Sequence, residues 1–362
     1  MAEVLELKGI VEAGMQAPSG DNMQPWKFSV SHEGVDVYID PTGLHSVYDF
    51  RRRGSLAAIG TAIENMLIAA KRFGKTATLK LFPSDDDPNH IAHIGFTADS
   101  GAGRPEDAPL YEHILTRGTN RRLYKDIPLT NEQRSALLSI PVQMGIGGSV
   151  HLVEEPKRRA ALAKLLSNND KLLFMNRPLH DGLFKYFRWT PEEIESTRDG
   201  LDVQTLEFPP SDQKTVRLLR SWGMTKFMNL FGAAGMIAKK TEKIYGTGAA
   251  LVAITMKGAS EEDFVQGGRI MERLWLTITG MGLAIHPAFG FALLGQRVLT
   301  GETAMFSPSQ IKLVKESFNN IRDLFEVGDE TIVMLFRLGT PEGPPSARSV
   351  RKYPEAVVTY KT

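Results

Sequence analysis

The chain of 362 residues contains no cysteine. That absence excludes disulfides, thiolate nucleophiles, and zinc or iron–sulfur centres held by cysteine. Net charge is nearly absent too: 43 basic residues stand against 42 acidic ones, a formal +1. Nothing in that balance draws the chain to nucleic acid or to an anionic membrane as its main partner. No apolar run reaches the roughly 18 residues of a membrane span. The best candidate, residues 227–238, is short and runs into Lys239 and Lys240. The opening Met-Ala-Glu-Val-Leu-Glu-Leu-Lys lacks the basic start of a signal peptide. The chain therefore reads as a cytoplasmic, thiol-free protein. Several catalytic signatures are missing as well. No G-x-G-x-x-G follows a strand, no G-x-S-x-G or H-E-x-x-H occurs, and Gly74-Lys75-Thr76 has Ala69 where a phosphate loop needs its first glycine. Redox chemistry in such a chain would need an organic cofactor as electron carrier.

What is present is the composition of a globular protein, 42% hydrophobic and 23% charged, long enough for two domains or one large one. Residues 5–17 read as a helix with Leu5, Ile10, Val11 and Met15 on one face. Residues 27–39 read as paired strands around Gly34. Residues 55–73 carry Leu56, Ile59, Ile63, Leu67 and Ala70 at helical spacing and stop before Gly74. Strands follow at 76–82 and 90–96, joined by the acidic turn 85–88. Residues 99–109 (D-S-G-A-G-R-P-E-D-A-P) have almost nothing to bury and read as a linker. Beyond it, 131–140 and 157–167 look helical, and 150–153, 249–256 and 331–337 look like strands. The last two are nearly continuous apolar runs, as in strands covered on both faces. The predicted division is a first half at 1–98, a linker at 99–109, and a second half at 110–362 with an insertion at about 170–245.

A repeat supports that division. Gly60, Glu64 and Gly74 have the spacing of Gly268, Glu272 and Gly282, and Ile63, Met66, Leu67 and Ile68 match Met271, Leu274, Trp275 and Leu276. Any two amphipathic helices ending in glycine can be aligned this way. Taken with the linker and the split signature below, duplication is the better account. The insertion fits neither copy. It holds aromatics from Phe174 to Tyr245, and it is either a lid or a set of helices extending the core. Its ends look helical, and its middle, 197–212, looks like a loop suited to a flap.

Two segments carry chemistry. Residues 17–26 read A-P-S-G-D-N-M-Q-P-W. Pro18 and Pro25 discourage a helix, Gly20 permits close approach, and Ser19, Asn22 and Gln24 offer short polar groups to a heterocycle or a polyol. The alternative is a plain helix-terminal turn with Trp26 in the core. Residues 117–121 read R-G-T-N-R. In an extended segment Arg117, Thr119 and Arg121 share a side and Arg122 points away. Two guanidinium groups and a hydroxyl suit a phosphate, although most arginine clusters are solvated loops. His90 and His93 read as a surface pair, not a metal site. Arg51-Arg52-Arg53 reads as a solvated turn. His286 is either near the site or an ordinary core histidine.

P-S-x-x-N-x-Q-P-W closely resembles the motif that nitroreductase-family flavoproteins lay against the flavin ring and ribityl chain. R-x-T-x-R resembles their phosphate-holding R-x-S-x-R-x-(aromatic), with Tyr124 one position late. Residues 268–283 resemble the family's G-x-x-x-(Q/E)-x-L helix. The loop His286-Pro287-Ala288-Phe289-Gly290 sits where family members aim backbone N–H groups at the flavin, and Arg348, Arg351 and Lys352 sit where basic residues finish the phosphate site. Each copy lacks the complementary half-signature, so the resemblance is to the single-chain, internally duplicated Acg-type branch. It implies an α+β fold of two nitroreductase-like halves and one FMN. It implies Pro18, Ser19, Gly20, Asn22, Gln24, Arg117, Thr119, Arg121, Pro287, Ala288, Phe289, Gly290, Arg348 and Arg351 as cofactor residues. It also implies a nicotinamide donor, a small electron-poor acceptor such as a nitroaromatic or quinone, no metal, no catalytic side chain that can be named, and a monomer that is an internal pseudo-dimer. A flavin-storage protein whose insertion covers the ring is the competing reading, and other flavin chemistry on the same fold is a third.

Overall fold

Strict alternation makes residues 26–39 a hairpin. Trp26, Phe28 and Val30 are buried from β1 (Trp26–Ser31), and Val35, Val37 and Ile39 from β2 (Gly34–Ile39). Gly34 turns the chain at φ +139°, where a Cβ would strike the Ile94 carbonyl. The computed structural model describes residues 7–43, 46–98 and 107–361. Leu5 and residues 99–106 of the expected linker lie outside the described residues.

The hairpin follows α1 (Lys8–Met15) and precedes α2 (Arg53–Arg72), β3 (Lys75–Leu81), β4 (His90–Ala98) and α3 (Asp107–Ile114). Next come α4 (Asn131–Met144), β5 (Gly148–Val153) and α5 (Pro156–Leu166). The insertion folds as α6 (Asn168–Leu173), α7 (Arg177–Lys185), β6 (Phe187–Arg188), α8 (Pro191–Thr197), β7 (Leu201–Asp202), α9 (Pro210–Leu219), α10 (Trp222–Asn229) and α11 (Ala233–Tyr245). The chain finishes through β8 (Ala250–Met256), α12 (Glu261–Gly280), β9 (Ala284–Pro287), α13 (Phe289–Leu299), α14 (Pro308–Phe325), β10 (Thr331–Gly339), α15 (Pro354–Val357) and β11 (Val358–Tyr360).

The result is an α+β fold with two main sheets, ordered β11-β1-β2-β4-β3 and β5-β8-β10-β9. β11 runs parallel to β1, with Phe28 opposite Val358. The last strand of the expected second half thus completes the first sheet. β8 is buried along its whole length: one face meets the core shared with α12, the other a core built with the insertion.

α2 packs on the first sheet, α12 on the second, and the two helices pack on each other. Their contact is reciprocal. A Cβ on Gly60 would lie 2.0 Å from the Val265 carbonyl oxygen, and one on Gly268 would lie 2.0 Å from that of Ala57. The spacing from 57 to 60 repeats from 265 to 268, so each helix presents the same glycine to the same turn of the other, as at a two-fold interface.

Several expectations need correction. The helix begun at Asn131 does not stop at Ile140. It passes through Pro141 for one more turn, because Gly145 supplies the left-handed cap at φ +67° that ends it. Residues 107–109 are not linker: they open α3, and Asp107 is buried against Arg273 at 2.7 Å. The middle of the insertion is not a plain loop. β7 pairs with β6, a single 3-10 turn spans Val203–Leu206, and α9 starts at Pro210. Nor do three arginines share a solvated turn. Arg51 and Arg52 pair with Glu302 and Glu261, whereas Arg53 is buried, bonded to Gln296 at 2.6 Å and stacked near Phe50 and Phe264. His90 and His93 both bond Asp36 Oδ1, at 2.9 and 2.8 Å.

Candidate functional site

The turn after α1 holds an uncommon backbone. Asp21, Asn22 and Gln24 all have positive φ, between 51° and 54°, which costs non-glycine residues energy and survives only where neighbours enforce it. Ser19 Oγ accepts from the Gln24 amide at 2.9 Å. The C-terminal segment does the rest. Asn22 Nδ2 donates to the Val350 carbonyl at 3.0 Å, Arg351 donates to Asn22 Oδ1 at 3.0 Å, and the Lys352 amide donates to Gln24 Oε1 at 2.7 Å.

This turn walls one side of a cavity of about 740 Å³, within the size range of small-molecule and cofactor sites. Pro18, Ser19, Gly20, Asn22, Arg117, Thr119, Arg121, Pro287, Phe289, Gly290, Arg348 and Arg351 all line it. Two expected residues do not. Gln24 is buried behind the wall, and its amide nitrogen bonds the Asn22 and Arg198 carbonyls. Ala288 is also behind it, and its N–H is spent on the Leu335 carbonyl at 2.8 Å. The N–H groups left for a ligand are those of Phe289 and Gly290, which open α13 and have no acceptor within the helix. Gly290 is closely packed there: a Cβ would sit 3.2 Å from the Tyr48 ring and 3.3 Å from Asn169 Oδ1. His286 does not line the cavity. It stacks on Tyr245, and burial beside Arg337 and Arg121 holds its pKa well below the usual value, so it stays neutral.

Alternation through residues 117–122 places the arginines. Arg117 is buried, its Nε 3.2 Å from Glu272 and its guanidinium 4.9 Å from the Trp275 ring centre. Arg121 bonds the Thr205 carbonyl at 2.7 Å. Arg122 faces out and pairs with Glu207 at 3.0 Å. Arg348 donates to the Leu115 and Arg117 carbonyls. Arg351 is pushed down to about 9, first by burial and then by Arg117 beside it. Its Nε is buried without a hydrogen-bond partner. Burial also lifts Glu272 to about 7 in spite of Arg117. This end of the cavity therefore carries more cation than its buried acid neutralises, and it is suited to an anion.

Sequence reasoning missed part of the lining. Asp21, Tyr48, Asn169, Asp170, Arg198 and Thr205 also line the cavity. Burial raises Asp21 to about 6 against the pull of Arg121, and it raises Asp170 as well. Asn169, Asp170, Arg198 and Thr205 belong to the insertion, and no motif marks them because only the tertiary fold brings them here. Among the described residues no group of three or more His, Asp or Glu side chains could hold a metal.

No family model matches the chain. It is 25% identical over 353 residues to the uncharacterized protein MT1398 of Mycobacterium tuberculosis, covering 96% of this chain and 47% of that one. It is 30% identical over 128 residues to "Putative NAD(P)H nitroreductase acg" of the same organism, covering 34% of this chain and 37% of that one. It is 22% identical over 282 residues to "Putative NAD(P)H nitroreductase Rv3131", covering 78% and 75%. The chain is thus similar to one uncharacterized protein and to two named putative NAD(P)H nitroreductases. It spans less than half the length of the first two. Among solved structures it is similar to the FMN-dependent nitroreductase NfnB from Mycobacterium smegmatis in complex with NADPH, at 13% identity, 70% coverage of this chain, 98% of that one and a TM-score of 0.42. No helix among the described residues is long and apolar enough to cross a membrane.

Proposed function

We propose that the chain is an FMN-dependent oxidoreductase that takes electrons from NADH or NADPH and passes them to a small electron-poor acceptor such as a nitroaromatic or a quinone. The observation that carries this reading is the cationic end of the cavity. Arg117, Arg348 and Arg351 converge there, Arg351 Nε has no partner, and Glu272 is the buried acid beside them. A phosphate monoester would satisfy that excess. The residues present therefore fit FMN. Arg117, Arg348 and Arg351 would hold its phosphate, and Ser19 and Asn22 would border its polyol or ring edge. The Phe289 and Gly290 amides would face the ring with the positive end of α13 behind them.

When bound, FMN supplies a ring that accepts two electrons from a nicotinamide and yields them to an acceptor. The chain's own contribution is binding, orientation and exclusion of water. The strained turn at 19–24 is fixed by the C-terminal segment, so its polar groups are oriented before any ligand arrives. Insertion residues Leu173, Leu183 and Leu201 line the cavity with apolar surface. No side chain is given a proton-transfer role.

The reading includes two nitroreductase-like halves, 1–98 and 110–362, that form a single site within a monomer. The support is the reciprocal crossing of α2 and α12, together with a wall made by the first half and arginines supplied by the second. The expected stoichiometry is one FMN per chain, read by releasing flavin and quantifying it against protein. A ratio near two, or a protein unable to take up FMN, overturns the reading. Anaerobic bleaching of the yellow protein by NADH or NADPH separates an oxidoreductase from a flavin store.

A further inference from the structure

α9 and α10 form a helical projection on the insertion, joined to the body by α11, which packs on α5 and α6. Its tip exposes apolar side chains that a globular surface ordinarily hides: Leu230 is 79% exposed, Phe231 72% and Phe227 57%, with Leu218, Met224 and Met236 exposed beside them. This is a contiguous stretch of sequence, and scattered exposed hydrophobics do not account for it. Phe227 and Phe231 contact each other edge to face at 5.5 Å.

The tip is not a loose loop. Asn229 Nδ2 donates to the Phe174 carbonyl at 2.5 Å, which ties the α10–α11 turn to α6, while its Oδ1 accepts from the Ala234 amide at 3.0 Å and closes the turn on itself. Thr225 is buried and bonds the Leu219 carbonyl at 2.8 Å. The fold therefore holds Leu230 and Phe231 out in water by specific bonds.

Charge along the tip's own segment has one sign. From residue 213 to residue 241 the chain carries Lys214, Arg217, Arg220, Lys226, Lys239 and Lys240 and no aspartate or glutamate, and all six are exposed. Lys240 pairs with Asp212 at the base of the projection at 2.7 Å. Without these six, the rest of the chain has more acids than bases. The near-zero total thus conceals a basic projection on an acidic body.

We propose that this projection docks the protein on an anionic lipid surface, with Phe227, Leu230 and Phe231 entering the interface and the surrounding lysines and arginines meeting the headgroups. Exposed aromatic and aliphatic side chains within a cationic field are the pattern of a segment that lies on a membrane without spanning it. A second copy of this chain is a poorer occupant. A two-fold contact through the tip would set Lys214, Arg217, Arg220, Lys226 and Lys239 against their copies, while Asp212 is already paired with Lys240. The insertion that carries the tip also lines the cavity with Leu173, Leu183 and Leu201. Resting on the proposed function, the docking favours an acceptor dissolved in lipid, a quinone over a water-soluble nitroaromatic. Docking itself does not depend on that function.

The test uses the full chain and sedimentable vesicles of phosphatidylcholine alone, or with about 30% phosphatidylglycerol, at about 0.1 M salt. The protein should sediment with the anionic vesicles, stay largely in solution with the neutral ones, and be released at high salt. The F227S/L230S/F231S variant should lose binding at least tenfold, and Leu230→Ser alone, at the most exposed position, at least threefold. Lys226→Gln with Lys239→Gln should weaken binding and flatten its salt dependence. Circular dichroism melts should match wild type, and Leu230→Ser carries the test if the triple variant does not fold. Failure to bind anionic vesicles, or equal binding by wild type and Leu230→Ser, overturns the proposal. So does a wild-type dimer that the triple variant dissociates, with no vesicle binding, since the tip is then a self-interface. Flavin content is read separately, so loss of docking and failure of the cofactor reading are distinguishable.

Discussion

Glu64 in α2 and Glu272 in α12 stand four residues beyond the two crossing glycines, and both are fully buried, yet their environments pull their ionisation in opposite directions. Burial pushes Glu64 up, but Arg273 and Arg269 outweigh it and hold the carboxyl below its ordinary value. Burial lifts Glu272 to about 7, because Arg117, with a weaker pull from Arg351, cannot offset it. The source of the cations explains the contrast. Arg269 and Arg273 come from α12 itself, at 3.0 and 2.6 Å, and Arg273 also reaches Asp107 at 2.7 Å. The positions that correspond to them on α2 are Thr61 and Asn65. Thr61 lines the cavity. In the proposed duplication, two arginines stand on one side where the other has a threonine that borders the cavity and an asparagine that bonds the Ala13 carbonyl at 3.2 Å. On that reading one buried glutamate closes a redundant site, and its counterpart would share its arginine with the FMN phosphate.

The sharpest way to break this contrast is Arg273→Met. It strips Glu64 of one of its two arginines and should cost about 3–5 kcal/mol in urea unfolding, as removing one partner of a buried ion pair does. The folded fraction should keep one flavin per chain, and parallel loss of flavin would show that the closed side belongs to the site. On the open side, Arg117→Ala or Arg351→Ala should weaken FMN binding by about 1.5–3 kcal/mol each. Arg122→Ala, outside and paired with Glu207, should change it by less than about 1 kcal/mol. Titration with riboflavin, which lacks the phosphate, should show no such differences. Reciprocity itself is tested by Gly60→Ala and Gly268→Ala. Each forces a methyl group against a carbonyl and should cost about 1–3 kcal/mol, and the two losses should be alike.

The smallest expected effect is on pH. A carboxyl raised on folding stabilises the folded state below its unfolded pKa and loses that contribution as pH rises through the folded value. Flavin-free protein should therefore lose on the order of 1–2 kcal/mol between about pH 5 and pH 8 through Glu272. Asp21, raised to about 6, adds a loss of the same sign at the lower end. Glu64 acts oppositely, and only below the ordinary carboxylate range. Glu272→Gln should flatten the upper part of the slope, and a slope unchanged in that variant would place its source elsewhere.

Much of this was legible because the signals are local. Alternation gave the first hairpin, helical spacing gave α2, and spacing by two separated Arg117, Thr119 and Arg121 from Arg122. The same logic misjudged Gln24 and Ala288. Their backbone positions suit a ligand, but bonds to Arg198, Lys352 and Leu335, far away in the chain, had already claimed their polar atoms. The expected flap shows the limit most plainly. Composition described a hinged cover with the anchors elsewhere. In the fold the Arg198 carbonyl accepts from Gln24 and its Nε donates to the Arg351 carbonyl at 2.7 Å, while the Thr205 carbonyl and Glu207 carboxylate hold Arg121. Shortening residues 197–212 would thus loosen the anchors as well as open the cavity. Charge patterning was hidden for a different reason: totals over the whole chain averaged a basic projection against an acidic body.

The strained turn at 19–24 is held from the far end of the sequence, and this sets a schedule for synthesis. Gln16 and Arg351, bonded at 3.1 Å, are 335 residues apart. At roughly 5–20 residues per second, a ribosome needs about 15–70 s to deliver the second after the first. Through that interval the first hairpin has its own strands but not the neighbour at its edge, and the strained turn has only local bonds such as Ser19–Gln24 to hold its backbone in place. Capture of the proposed cofactor would therefore be a late event on the ribosome, and exposure of β1 before β11 arrives is the hazard that precedes it.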